Sequence, residues 1–328
     1  MKTKAHTNGH PGGTGLGFMG WRRDLPDYRD YTPDTQSVKQ VLTKSEGLTA
    51  AKRAAPASVD LREWCSPIED QGDLGSCTAN AGVGLLEYFE RRAFGHHLDA
   101  SRLFLYKVTR NLLGWVGDQG AYLRDTMKAL VLAGVPPEQY WPYDIATFDD
   151  EPSAFCYAFA QSYKAIVYYR LDPTGTPTAQ VLKSVKQNLA AGLPSMFGFT
   201  VYSSFPRIGD GTGDIPFPQP TDSVLGGHAV DAVGYDDRRQ IGSERGALII
   251  RNSWGTEWGD NGYGYMPYAY IERGIAVDFW SLVQAGFVNT DLFLEAATAA
   301  GGSATPRAAP YRAPVRSASK RTPAHAGV

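Results

Sequence analysis

Cys77 follows the glycine-rich stretch Gln71-Gly72-Asp73-Leu74-Gly75-Ser76 and opens an apolar run with helical spacing. A thiol at the mouth of a helix meets unpaired first-turn N–H groups and the positive end of the helix dipole, and both favour the thiolate. A thiolate nucleophile then needs a base, a group that orients the base, and donors for the oxyanion formed on an attacked carbonyl. The chain has six histidines. His6 and His10 lie in a polar leader, His325 in a low-complexity tail, and His96 and His97 at the far end of the Cys77 helix. His228 remains as the base, after the pair Gly226-Gly227, which lets another backbone come close. Asn252, 24 residues later, is the candidate orienter, because its amide oxygen can accept an imidazole N–H without adding charge. Trp254 can shield that bond from water. Gln71 can place an amide N–H beside the backbone N–H of Cys77, and together they would form an oxyanion hole.

These parts have to be brought together by the elements that carry them. Residues 77–94 read as a central helix, apolar on several faces. Further helices are expected over 101–112, with Ser101 as cap, over 122–133, and over 178–191, with Pro177 near the first turn. The second half reads as short strands at 165–170, 195–202, 228–235, 247–252 and 262–266. A hairpin of the strands at 228–235 and 247–252 would set Asn252 beside His228. Helices first and strands second predict an α+β body of two lobes, with the cysteine on one and the histidine and asparagine on the other. The site would lie in the cleft between them.

Three segments resemble the papain-type (C1) cysteine peptidases, and within them the bacterial, xylellain-like branch: Gln71 with Gly75-Ser76-Cys77, Gly227-His228-Ala229-Val230, and Arg251-Asn252-Ser253-Trp254-Gly255-Thr256-Glu257-Trp258-Gly259-Asp260-Asn261-Gly262-Tyr263. Val59-Asp60-Leu61-Arg62 resembles the start of the mature family domain, and the likeness spans roughly 55–290. It implies a papain-like fold with a helical N-terminal lobe and an antiparallel β-barrel-like C-terminal lobe. It also implies an endopeptidase with Cys77 as nucleophile, His228 as acid/base, Asn252 as orienter and Gln71 as oxyanion donor. Gly117-Asp118-Gln119-Gly120-Ala121-Tyr122 resembles the loop that pairs with the substrate backbone, with Ala121 where the family has a second glycine. Gly120, Ala121, Gly227 and Trp254 are therefore the candidate substrate-binding residues. Leu74 and Thr78 stand where the papain signature has a cysteine and an aromatic residue, so the family's usual disulfide cannot form there.

Composition agrees with a globular protein: 328 residues, 43% hydrophobic and 12% aromatic. With Cys77 kept as a free thiol, Cys65 and Cys156 read most simply as core thiols, and no CxxC spacing suggests a metal. No metal or organic cofactor is expected. Asp210-Gly211-Thr212-Gly213-Asp214 lacks the full ligand spacing of a calcium loop and reads as a surface loop. The stretch 205–226 is expected at the rim of the cleft.

Three domains are expected: a leader at 1–54, a peptidase domain at 55–294, and a basic Ala/Pro-rich tail at 295–328. The last 28 residues hold five cationic side chains and no acid, which reads as a solvated disordered segment. Expected partners are a peptide or protein substrate and, as an intramolecular inhibitor, the N-terminal segment. No nucleic-acid or membrane partner is expected, and the protein is expected to be a monomer. The N-terminus has no apolar signal segment, which favours the cytoplasm, with export by a signal-independent route as the alternative. Within the leader, the aromatic, proline-punctuated strip 20–31 reads equally as a restraint laid over the cleft or as a stabilising strap. The long helical propeptide pattern of plant and animal relatives is missing. Two other functions use the same residues: acyl transfer to an amine or thiol, and a latent relative that only binds.

Overall fold

A computed structural model describes residues 19–44, 55–97 and 99–284. The strands are β1 (Trp21–Arg22), β2 (Ser58–Asp60), β3 (Ala121–Tyr122), β4 (Ala165–Arg170), β5 (Ser195–Tyr202), β6 (Val224–Ile241), β7 (Glu244–Arg251), β8 (Tyr263–Pro267) and β9 (Ala276–Gln284). The helices are α1 (Gln36–Lys44), α2 (Cys77–Phe94), α3 (Arg102–Leu113), α4 (Leu123–Leu132), α5 (Ala154–Ala160), α6 (Thr178–Ala190) and α7 (Ala269–Glu272). All described residues belong to one compact unit, Met1–Asn289. The basic tail expected at 295–328, and 1–18 and 45–54 of the leader, lie outside the described residues.

The helical part forms where the apolar periodicity predicted it. Ser101 accepts the N–H of Phe104 and caps α3, while Gly95 and Gly114 end α2 and α3 in the left-handed conformation. Helix α2 is buried through Glu90, because α3 and α4 cover one side and the sheet covers the other.

The expected strands pair into one seven-stranded antiparallel sheet, ordered β4-β9-β5-β6-β7-β8, with β2 on the upper end of β6. The barrel-like expectation needs correcting here. β4 and β8 are opposite edges that do not pair, so the sheet is open. Strand β9 was not foreseen, although Ala276-Val277-Asp278-Phe279-Trp280-Ser281-Leu282-Val283 is rich in β-branched and aromatic residues. It lies between β4 and β5, so a late segment joins the edge strand β4 to the rest of the sheet.

Helix α2 docks on the sheet through Gly84. A Cβ there would stand 2.6 Å from Asp231 Oδ2, so only glycine lets the helix come this close to the cross-strand pair Asp231–Arg251. Those two side chains form a buried ion pair at 3.8 Å. The glutamate one turn further along α2, Glu87, is raised to about 7 chiefly by burial.

Residues 19–44, expected as a leader outside the main body, lie against it. Val38 and Leu42 of α1 are buried, and β1 pairs in parallel with β3, Trp21 opposite Ala121. No helix among the described residues is long and apolar enough to cross a membrane.

Candidate active site

The first turn of α2 sets Cys77, and the β6–β7 hairpin sets its partners. The antiparallel register pairs Asp231 with Arg251. Continued along both chains, it puts 228 across from 254 and one diagonal step from 252. His228 Nε2 lies 2.7 Å from Asn252 Oδ1, and the Trp254 ring stacks on the imidazole with centroids 4.6 Å apart.

The tautomer follows from one more bond. Asn252 Oδ1 also accepts the backbone N–H of Ser253 at 2.8 Å, which identifies that atom as oxygen. Nε2 of His228 must therefore be the donor, and in the neutral ring Nδ1 is the base. Nδ1 is buried and has no hydrogen-bond partner. Phe199 and Trp254 hold the ring from two sides, and Trp254 is itself packed by Phe205 and Trp258. The contacts of Trp254 are thus with the imidazole and the aromatic core.

Gln71 is fully buried, which a residue before a turn need not be. Its Nε2 donates to Leu74 O at 2.8 Å, and its Oε1 accepts from Ser253 Oγ at 2.7 Å. The backbone N–H of Gln71 donates to Ser253 O at 2.9 Å. These bonds tie the turn before Cys77 to the turn after β7. Tyr143 adds a further brace, donating to Gln71 O while its hydroxyl oxygen meets Ser76 Oγ at 2.6 Å. Asp118 accepts the N–H of Gly75 at 3.0 Å, so the 117–122 loop is fixed to the same turn.

The cleft is filled by the chain's own residues 19–22. Ala121 N–H donates to Gly20 O at 2.8 Å, and Arg22 Nε donates to Gln119 O at 2.6 Å. A Cβ on Gly120 would collide with Gly20 O, and one on Gly198 would collide with the Trp21 indole. A Cβ on Gly227 would stand 2.7 Å from the same ring. The predicted substrate-facing residues Gly120, Ala121 and Gly227 therefore do line one groove, and the N-terminal strip occupies it. About 330 Å³ of open groove remains beside the strip, reaching Leu225 and Gly226 of the expected rim.

With the strip seated, the site is closed to solvent. Cys77 and His228 are both 0% exposed. Burial pushes the Cys77 thiol up to about 11, against hydrogen bonds from the backbones of Ala229, Gly20 and Thr78 that favour the thiolate. Burial also lowers His228 to about 4, against the opposing bond to Asn252. The helix-dipole argument alone predicts a thiolate. In the closed form desolvation outweighs it and favours the neutral thiol and the neutral imidazole.

Trp21, Met19 and Gly198 were not singled out from the sequence. The aromatic strip was legible, but which residue it would meet was not. Cys65 and Cys156 are buried free thiols, as expected. In the 210–214 loop, Asp214 pairs with Arg239, and among the described residues no acidic cluster suits a metal ion.

Residues 55–280 match the family described as "Papain family cysteine protease". The chain is 37% identical over 276 residues to "Uncharacterized peptidase C1-like protein L477" of Acanthamoeba polyphaga mimivirus, covering 80% of this chain and 85% of that one. Among solved structures it is similar to xylellain, a cysteine protease from Xylella fastidiosa, with 35% identity, a TM-score of 0.64, and coverage of 82% and 97%. Digestive procathepsin L 3 of Tenebrio molitor larval midgut shares the fold, with a TM-score of 0.56 at 22% identity over 73% of this chain and 75% of that one. With a cleft built around one cysteine and a histidine–asparagine pair, and a family match spanning most of the chain, this protein belongs to the papain family of cysteine proteases and is a cysteine-type peptidase, a hydrolase.

Proposed function

We propose that this peptidase is an endopeptidase that works through Cys77, His228, Asn252 and Gln71, and that residues 19–31 restrain it until they leave the cleft. The observation that carries the reading is the 2.7 Å bond from His228 Nε2 to Asn252 Oδ1, which leaves Nδ1 as a buried base with no other partner. Once the strip leaves, water and a polar substrate enter the cleft and the desolvation penalty on the charged forms falls. The proton of the Cys77 thiol then passes to His228 Nδ1, and the imidazolium stabilises the thiolate.

The thiolate attacks the scissile carbonyl carbon, forming a C–S bond while the carbonyl π pair moves onto oxygen. The backbone N–H of Cys77 and the Gln71 amide hold that oxyanion. As the C–N bond breaks, His228 gives its proton to the leaving amine, and a thioester remains. Neutral His228 next takes a proton from water, the hydroxide attacks the thioester, and the carboxylic product and the thiol are released. Gly120, Ala121 and Gly227 would receive the substrate where Gly20 and Trp21 now lie, with the substrate backbone pairing with Ala121 as Gly20 does. Cys77→Ala should abolish hydrolysis of a peptide substrate while the folded circular-dichroism spectrum is kept. Retained hydrolysis would refute the assignment.

A further inference from the structure

A group of buried charges fastens the strip to the body away from the cysteine. From the strip come Asp24 and Asp30, with exposed Arg23 beside them. From the body come Arg124 of α4, Arg170 of β4, Asp172 just after it, and Asp278 of β9. The bonds are unevenly shared. Arg124 makes a two-pronged bond to Asp30, at 2.7 and 2.6 Å. Arg170 is taken by Asp278 at 2.5 Å and Asp172 at 3.0 Å. Asp24 arrives as the surplus carboxyl. Its oxygens meet the Trp280 indole N–H at 2.8 Å, and Arg170 and the Arg124 backbone N–H only at 3.5 and 3.4 Å. Its own N–H donates to Asp278 Oδ2 at 2.8 Å, and the two carboxyl groups share the Arg170 guanidinium.

With four carboxyls around two guanidiniums and almost no solvent, the closed cluster is short of positive charge unless it takes up a proton. We propose that Asp24, paired with Asp278, is a proton-operated latch: with the pair singly protonated the strip closes, and with both carboxyls ionised its hold loosens. This rests on the reading of the strip as a restraint, and it adds what controls that restraint.

The direction follows from linkage. In the closed form burial and the neighbouring Asp278 raise Asp24 from the ordinary 3.8 to about 7. Closing therefore takes up a proton between those values. The hold is strongest below about pH 4, declines as pH rises toward 7, and is level above that. Acid tightens the hold and neutral pH weakens it.

Hydrogen exchange of the full chain tests this, read by mass spectrometry on a Cys77→Ala background that cannot digest itself. After correction for intrinsic exchange rates, protection of residues 20–24 should fall by up to about tenfold per pH unit between pH 5 and 7. Asp24→Asn should remove most of that slope, and Asp278→Asn, which leaves Asp24 buried, should lessen it. Asp30→Asn should lower protection at every pH and leave the slope in place. Protection in β6 and β7 reports whether each variant is folded. A flat profile in the parent, or an undiminished slope in folded Asp24→Asn and Asp278→Asn, would overturn the latch. Exchange needs no catalysis, so failure of the endopeptidase reading would appear separately, as absent hydrolysis.

Discussion

The carbonyl oxygen of Gly20 accepts the backbone N–H of Ala121 at 2.8 Å, so a residue from the start of the chain takes the hydrogen bond expected for a bound peptide. The pairing seats residues 19–22 over the site. With residue 20 seated, the Trp21 ring lies across Gly198 and Gly227, and Cys77 and His228 have no contact with solvent.

Trp21→Ala should release the restraint. Burying a large apolar side chain contributes about 2 kcal/mol here, equivalent to roughly a thirtyfold larger open fraction. Initial rates on a short fluorogenic peptide should rise accordingly. Gly198→Ala should act the same way from the other side, by placing a methyl group where the indole lies. If folded Trp21→Ala is no faster than the parent, the strip is a stabilising strap only.

Thiol reactivity should separate the closed and open forms by pH. In the closed chain Cys77 is raised to about 11 and His228 lowered to about 4, so the thiolate is scarce at neutral pH and increases tenfold per pH unit toward 11. Alkylation of Cys77 should follow that rise in the parent. In Trp21→Ala, where an ion pair can form, the rate should level off by neutral pH. Matching profiles in the two proteins would argue that the strip does not control the charge state of the site.

Asn252→Ala should leave the imidazole without its orienting acceptor. A buried hydrogen bond of this kind contributes about 1–3 kcal/mol, which predicts roughly a tenfold to hundredfold lower kcat measured in the Trp21→Ala background. The loss should fall mainly on kcat if, as proposed, Asn252 acts by orienting the imidazole. A change confined to KM would assign it a different role.

Glu87 links pH to stability through the core. Its folded value is raised to about 7 by burial, so its protonated form stabilises the fold. That stability is present below pH 4.5 and is lost as pH rises through 7. Glu87→Gln keeps an acceptor for the Ala100 N–H and cannot ionise. Urea titration should find it roughly 3 kcal/mol more stable than the parent at pH 8 and equal at pH 4. Equal stabilities at pH 8 would show that Glu87 is not the group responsible.

How far the sequence could be read depended on the range of the signal. Helices α2, α3, α4 and α6 announced themselves through local periodicity and caps, and Ser101 and Pro177 stand where such caps were expected. The strands of the β6–β7 hairpin were legible for the same reason, and with them the nearness of His228 and Asn252. Strand β9 was missed although its composition suits a strand. No pattern within it says that it lies between β4 and β5, far back in the chain. Helix α5 carries too few turns to show a period, and α1, with Val38, Val41 and Leu42 at helical spacing, was passed over inside the leader.

The residue types, with the family resemblance, pointed to the chemistry proposed above. A lone cysteine at a helix start, one histidine left by elimination and an asparagine in a strand-following turn leave few other uses for that set. Only the tertiary structure decided the state in which that chemistry is held. Desolvation depends on what covers a group, and Cys77 is covered by Gly20, 57 positions earlier. Likewise Asp24 is one acid among many until burial beside Asp278 and Arg170 makes its proton matter. Short-range pattern fixes helices and turns, whereas pKa and access are set by neighbours that folding brings from elsewhere.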